Sequence, residues 1–417
     1  MDSPRRRLRR WLVSALVLTA TSATVALGSS APAGATSTTE SALALQWYDI
    51  TDQTVTAAGF PEPVTWSRTW AVSWLAAAHA VAENTNATFQ QAAFAQALHD
   101  TLAATVPTQQ SQLDADLAAT LSTLPEGSAK RAGERAGQQQ AAAVLAQRAG
   151  DGLDTASVDK AWTPPAAAPG IWQPTPPAFG PAIRAGEGNA RPFLLTANDQ
   201  FDPGPPPSLT SATFLNDLAE IRAVGALNST VRTAAQTDVA KFWPPAPNIQ
   251  YGQVLREILV DLHRPLSWDT RFVAAFHVVT TDGQIGIYNA KFTYDFWRPV
   301  TAIRTGSVAP DPTWTPLFTT PSHPEYPSGH AGYAGAAQAI LTAFLGPNAP
   351  RPVSATSPAD PGSTHTYASW RQITQEIVNA RVWEGVHFRS SDNTATITGL
   401  KVGGFDVYKL GSIGINP

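Results

Sequence analysis

The heptapeptide Pro324-Glu325-Tyr326-Pro327-Ser328-Gly329-His330 sets a hydroxyl, a bare backbone amide and an imidazole in consecutive positions. Ala331 to Leu345 follows, rich in Ala, Gly and Leu, and stops at Gly346-Pro347, so the spacing predicts a helix that opens at this motif. A helix N-terminus presents unpaired N–H groups and the positive end of the macrodipole. Ser328 and Gly329 therefore sit where an oxyanion would be held, with His330 beside it as proton donor or acceptor.

Two other stretches carry chemistry of the same kind. Lys291 and Arg298 are seven residues apart and Pro299 follows the Arg. On one helix that spacing is nearly two turns, and both cations would leave the same face roughly 10 Å apart along the axis. Downstream, Arg381 precedes His387, and Gly385 is placed to end the helix that carries Arg381, freeing His387 from helical spacing. Ser390 or Ser391 reads as the cap of the next helix, which leaves His387 near another positive terminus. Lys291, Arg298 and Arg381 together bring more positive charge than a core tolerates unpaired. A bound tetrahedral oxyanion is the natural counter-charge.

The series Lys-x6-Arg-Pro, Pro-Ser-Gly-His and Arg-x5-His resembles the vanadium-dependent haloperoxidase and type 2 phosphatidic acid phosphatase superfamily. The span from Lys291 to Asp392 is about a quarter of the chain. Phe296-Trp297-Arg298-Pro299-Val300 and His323-Pro324-Glu325-Tyr326-Pro327 resemble the soluble bacterial haloperoxidase-like branch more than the lipid phosphatases. The resemblance implies that His387 bonds vanadium, or phosphorus in a phosphatase. It implies that Lys291, Arg298, Arg381, the Ser328 hydroxyl and the Gly329 amide hold the equatorial oxygens, and that His330 serves the apical oxygen. Lys291 would also polarise bound peroxide, and His323 would line the halide side, a position where His accompanies bromide oxidation and Phe accompanies chloride oxidation. A polar imazole ring of that kind, protonated or neutral, would compete for hydrogen bonds that otherwise activate the peroxide. Two departures stand out: Ala380 precedes Arg381 where the family has Ser, and Asp392 comes five residues after His387, with Ser391 in the carboxylate's usual place. Which group orients His387 is left open between them.

The implied activity is an exported vanadate-dependent haloperoxidase that uses hydrogen peroxide, a halide (bromide or iodide favoured) and a small organic acceptor. The alternative is an exported acid phosphatase acting through phosphohistidine, with phosphate in the same site.

The rest of the chain must position these residues. Residues 1–35 read as a signal peptide: Arg5, Arg6, Arg7, Arg9 and Arg10, an apolar run from Trp11 to Leu27, and Ala33-Gly34-Ala35 as the cleavage signal. Its removal takes five of 28 basic residues and Asp2 from 32 acidic ones, leaving 23 against 31, a net charge of −8. Such a chain does not suggest a nucleic-acid or anionic-membrane partner. With no Cys, stability must come from core burial, which about 380 residues supply. Past the signal peptide no apolar run is long enough to span a membrane. The sequence does not give the oligomeric state.

Ala-rich helical text fills 36–161, with Trp47, Trp66, Trp70 and Trp74 on its early helices and with His79 and His99 read as core or surface residues. Residues 162–207 shift to Pro, Gly and aromatics and predict an irregular packed segment near the pocket mouth. Helical text resumes over 208–417, interrupted at Gly283 and Gly286 before the Lys291 helix. The expected fold is all-α, helical bundles with the active site between helices of the C-terminal half, and 36–417 forming one compact domain.

Overall fold

The computed structural model describes residues 33–417, with side-chain surroundings from Glu40 onward. The signal-peptide reading lies outside these residues except at Ala33-Gly34-Ala35, where the first helix begins.

The N-terminal helices are α1 (Ala33–Ala58), α2 (Pro63–Ala82), α3 (Ala87–Thr105), α4 (Gln110–Ser122), α5 (Ser128–Gln147) and the one-turn α6 (Thr155–Val158). After the Pro-rich stretch come α7 (Ala212–Val224), α8 (Ala234–Phe242), α9 (Asn248–Leu262), α10 (Leu266–Tyr294), α11 (Pro299–Thr305) and α12 (Gly329–Leu345). A hairpin of β1 (Asn348–Ser357) and β2 (Asp360–Ser369) precedes α13 (Trp370–Trp383) and α14 (Arg389–Lys409). No helix among the described residues is long and apolar enough to cross a membrane.

The fold is helical, as the text predicts, and the hairpin is the addition. Val353 pairs with Tyr367 and Ala355 with His365, and Val353, Ala355, Ser357 and Tyr367 are buried. Pro350 and Pro352 hide this alternation in the sequence, since proline belongs to strand edges and irregular pairing. Gln253 and Glu257 of α9 take the backbone N–H groups of Thr356 and Ser354, which fastens the hairpin to the helices.

Helix α10 is the central post. It runs unbroken through Gly283 and Gly286, contrary to the interruption expected there; Gly283 is buried against a neighbouring helix, while Gly286 is partly exposed. A Cβ on Gly283 would stand 2.9 Å from Ala336 of α12, so the glycine serves helix approach. On its other side α10 packs on α2, where the His277 ring stacks on Trp70 at 4.9 Å between centroids and meets Trp66 edge-on. Helices α12 and α14 approach closely through glycines: a Cβ at Gly335 would fall 2.3 Å from the Thr396 carbonyl, and one at Gly399 would fall 2.1 Å from that of Gly332. This seam fixes the helix that begins at Gly329 against the helix that follows His387.

Residues 162–207 are irregular and packed. Asp282, buried on α10, accepts the backbone N–H groups of Phe193, Leu194 and Leu195, which satisfies donors that no helix pairs. Trp172 N–H donates to the Asp295 carbonyl and Trp297 N–H to that of Gly170, so the segment grips the turn that leads into Arg298. His79 Nε2–H donates to the Ile413 carbonyl at 2.7 Å, and His99 sits between Asp100 and Asp114, both in packing roles.

Candidate active site

Lys291 and Arg298 do not share a helix. Helix α10 ends at Tyr294, Asp295 turns the chain in the left-handed region at φ 48°, and Arg298 is the N-cap of α11. Asp295 does not pair with it. The two cations still converge, because the turn swings Arg298 back toward the end of α10. Ser328 caps α12 in extended conformation, as its position suggests, and Gly329 and His330 form the first turn.

His387 is delivered by a tight turn. Gly385 adopts φ 83°, and a Cβ there would fall 2.5 Å from the Gly225 carbonyl, so no other residue fits. The cap of α14 is Phe388 and neither Ser390 nor Ser391; both serines lie inside its first turn. His387 thus precedes a positive helix terminus by two residues.

These elements enclose a cavity of about 200 Å³ lined by His323, Gly329, His330, Arg381 and His387 together with Tyr288, Tyr333, Glu62, Arg184, Asn248 and a set of prolines. Lys291, Arg298 and Ser328 are fully buried behind this lining. A Cβ at Gly329 would stand 3.5 Å from Tyr288 and 3.8 Å from Lys291 Cε, which puts the helix terminus beside both side chains.

The hydrogen bonds assign the ring tautomers of His387 and His330. His387 Nδ1 lies 2.8 Å from Glu325 Oε1, which also accepts Phe388 N–H at 3.0 Å. The carboxylate fixes the proton on Nδ1 and leaves Nε2 as the acceptor, where it takes an N–H from Arg298 Nη1 at 3.2 Å. Burial and then Arg298, Lys291 and Arg381 hold this imidazole well below its ordinary range, hence neutral. His330 Nε2 donates to the Pro245 carbonyl at 2.9 Å, so Nδ1 is its basic atom, and burial followed by Arg381 keeps the ring neutral. His323 Nδ1 lies 3.0 Å from Arg298 Nη2, a donor, and 3.1 Å from the Pro324 carbonyl, an acceptor, while Nε2 stands 3.3 Å from the Tyr288 hydroxyl, so these contacts accommodate either neutral tautomer. Burial and the charges of Arg298 and Lys291 exclude the protonated form that the sequence left open for His323.

Glu325 is the residue that sequence reasoning missed. The group that orients His387 is neither Asp392 nor Ser391: both Asp392 oxygens are without hydrogen bonds, and burial pushes its carboxyl far up toward the neutral acid. Ser328 faces Asp392 without completing a hydrogen bond. Glu325 instead joins all three motifs. Its N–H donates to Phe296, its carbonyl accepts Lys291 Nζ at 3.0 Å, and its carboxylate holds His387. An acid between two prolines, in a motif otherwise headed for burial, was the available signal.

The donor inventory tests whether an oxyanion fits. Lys291 uses two of three ammonium protons on the Pro324 and Glu325 carbonyls. Burial and then Arg298 push its pKa down, a shift that an anion in the cavity opposes. Arg381 is paired through Nη1 with Glu384 and the Trp243 carbonyl, while its Nε is buried without a partner. Ser328 Oγ is likewise buried and unpartnered. Orphan donors beside an imidazole Nε2 whose one contact is a guanidinium N–H fit a tetrahedral oxyanion of the vanadate or phosphate type.

Comparison with known proteins agrees with this geometry. The family model of the VCPO second helical-bundle domain matches residues 271–412, which include every motif from Lys291 to Asp392. The chain superposes on a bacterial vanadium-dependent iodoperoxidase with a TM-score of 0.75 at 22% identity, over 88% of this chain and 96% of that one. The fold is that of the vanadium haloperoxidases. Apo and holo forms of a bacterial vanadium-dependent chloroperoxidase share the haloperoxidase fold with TM-scores of 0.63 and 0.62 at 16% and 17% identity. They cover 85% and 84% of this chain and 94% and 92% of their own. No curated protein matches.

Proposed function

We propose that this chain is an exported vanadate-dependent haloperoxidase that oxidises bromide or iodide with hydrogen peroxide. The observation that carries the reading is His387, which lines the cavity with its proton held on Nδ1 by Glu325 and its Nε2 as acceptor, together with two unpartnered donors, Arg381 Nε on a lining residue and Ser328 Oγ buried behind the lining. His387 would hold the metal, and Lys291, Arg298, Arg381, Ser328 and the Gly329 amide would hold its oxygens. Vanadate bound there supplies a Lewis acid that activates hydrogen peroxide toward halide. His330 Nδ1 takes up and returns the peroxide proton, with Nε2 anchored on the Pro245 carbonyl so that the ring does not turn away. The fold it shares with an iodoperoxidase and a chloroperoxidase supports the peroxide and halide chemistry. The test is bromination of a phenolic dye with and without added vanadate and peroxide. Absence of halide oxidation together with hydrolysis of a phosphate monoester would put the phosphatase, acting through phospho-His387, in its place.

The preference for bromide and iodide rests on His323. In its Nε2–H tautomer, His323 Nδ1 occupies one N–H of Arg298, a donor that is then withheld from the oxyanion site. Chloride is the hardest of these halides to oxidise and needs the fullest activation. His323→Phe releases that donor and is expected to raise the chloride-to-bromide rate ratio several-fold in steady-state halogenation. A wild type that chlorinates as fast as it brominates overturns this assignment.

Export follows from the Arg-rich start and the Ala33-Gly34-Ala35 ending. Mass spectrometry of secreted protein is expected to find Thr36 as the first residue, and an intact Met1 to Ala35 on it would remove the claim.

A further inference from the structure

Part of the cavity wall has no task in holding an oxyanion. Residues 61–63 lead into α2 and residues 244–248 lead into α9, and together they present Pro61, Pro63, Pro244 and Pro247 with two polar side chains among them. Those two are Glu62, 3% exposed, and Asn248, 4% exposed. Glu62 Oε2 and Asn248 Oδ1 are both buried without a hydrogen bond. Arg184 Nε stands 3.4 Å from Glu62 Oε2 in a long ion pair, its short hydrogen bonds being committed to Glu187 at 2.7 and 3.0 Å, and the Asp159 carboxyl lies beside Glu62. A buried acceptor with no donor costs about 1–3 kcal/mol. Two of them on one cavity wall are a recognition feature when a ligand supplies the donor.

We propose that this wall is a binding site for a small hydroxylated aromatic ring, whose single hydroxyl proton is shared between the Glu62 and Asn248 oxygens while its face lies on the flanking prolines. This rests on the haloperoxidase reading in one respect: the ring is then the organic acceptor of the halogen. The chemistry of the wall selects the class. Proline rings offer rigid apolar surface for an aromatic face, and the two orphan oxygens call for a neutral donor. An ammonium is disfavoured, since Arg184 and Arg381 line the same cavity. The volume of about 200 Å³ is below that of pockets for drug-sized ligands and suits a single ring.

The test is direct binding of phenol and of anisole, its O-methyl ether, to the full chain by calorimetry or saturation-transfer NMR. Vanadate, halide and peroxide are left out, so no turnover occurs and failure of this proposal is separable from failure of the haloperoxidase assay. Wild type is expected to bind phenol about tenfold more tightly than anisole, the worth of one well-made hydrogen bond to a buried acceptor. Glu62→Leu is expected to bring that ratio close to one, with anisole affinity retained. A ratio near one in the wild type, or a ratio preserved in Glu62→Leu, overturns the proposal. Glu62 precedes α2, so a thermal melt checks the fold of the variant. If Glu62→Leu does not fold, Asn248→Leu takes its place, and an unchanged phenol preference in that protein overturns the proposal equally.

Discussion

His387→Ala is expected to abolish tight vanadate binding, whereas His330→Ala is expected to retain it and lose turnover. The two residues border one cavity but offer it different atoms. His387 presents an Nε2 lone pair held in place by Glu325, and its loss removes the only covalent attachment that the proposed site makes to the metal. His330 contributes a proton-accepting Nδ1, and general acid–base groups of this type are worth about 10²–10⁴ in rate. Equilibrium dialysis with vanadate reads the first effect, and halogenation at saturating vanadate reads the second. Equal loss of binding in both variants would contradict the division of roles.

The second large effect is expected at Glu325. Groups that hold the far nitrogen of a metal-binding histidine typically contribute about 10–100-fold in metal affinity. Glu325→Leu is expected to weaken vanadate binding by at least that much, because it frees His387 to rotate and to exchange tautomers. It also removes a carboxylate from beside Lys291 and Arg298, both fully buried. Breaking a buried charge arrangement on one side costs about 3–5 kcal/mol, so a lower Tm is expected as well. Glu325→Gln keeps the volume and one acceptor oxygen and is expected to fall between wild type and Leu. Since an anion that binds only the native state stabilises it, added vanadate or phosphate should restore part of the Tm lost in Glu325→Gln. NMR of the ring nitrogens gives a second readout: the wild type should show His387 with its proton on Nδ1, and the Leu variant a mixture. An unchanged tautomer in Glu325→Leu would refute the positioning role.

The chemistry of the site was more legible in the sequence than its scaffolding. Ser328, Gly329 and His330 were readable because a cap, an exposed amide and an imidazole at a helix start are local features. Gly385 was readable as a stop for the same reason. Where the reading went astray, long-range packing decided the outcome. Gly283 and Gly286 look like helix breakers until α12 is seen against Gly283, and Lys291 and Arg298 look like one helical face until the Pro-rich segment is seen pairing with the turn between them. The hairpin β1 and β2 was hidden by Pro350 and Pro352. Glu325 escaped notice because its partner His387 is 62 residues away, a distance no local pattern spans.

Rings frame the entrance. Pro61, Pro63, Pro244, Pro247 and Pro321 all border the cavity, and each has φ fixed near −65° by its pyrrolidine. Lid loops close by changing backbone torsions at their hinges, and proline has one such torsion fewer to give. The backbone that carries these five prolines therefore has five fewer torsions through which to move, and this part of the lining is expected to keep its shape whether the cavity is empty or filled.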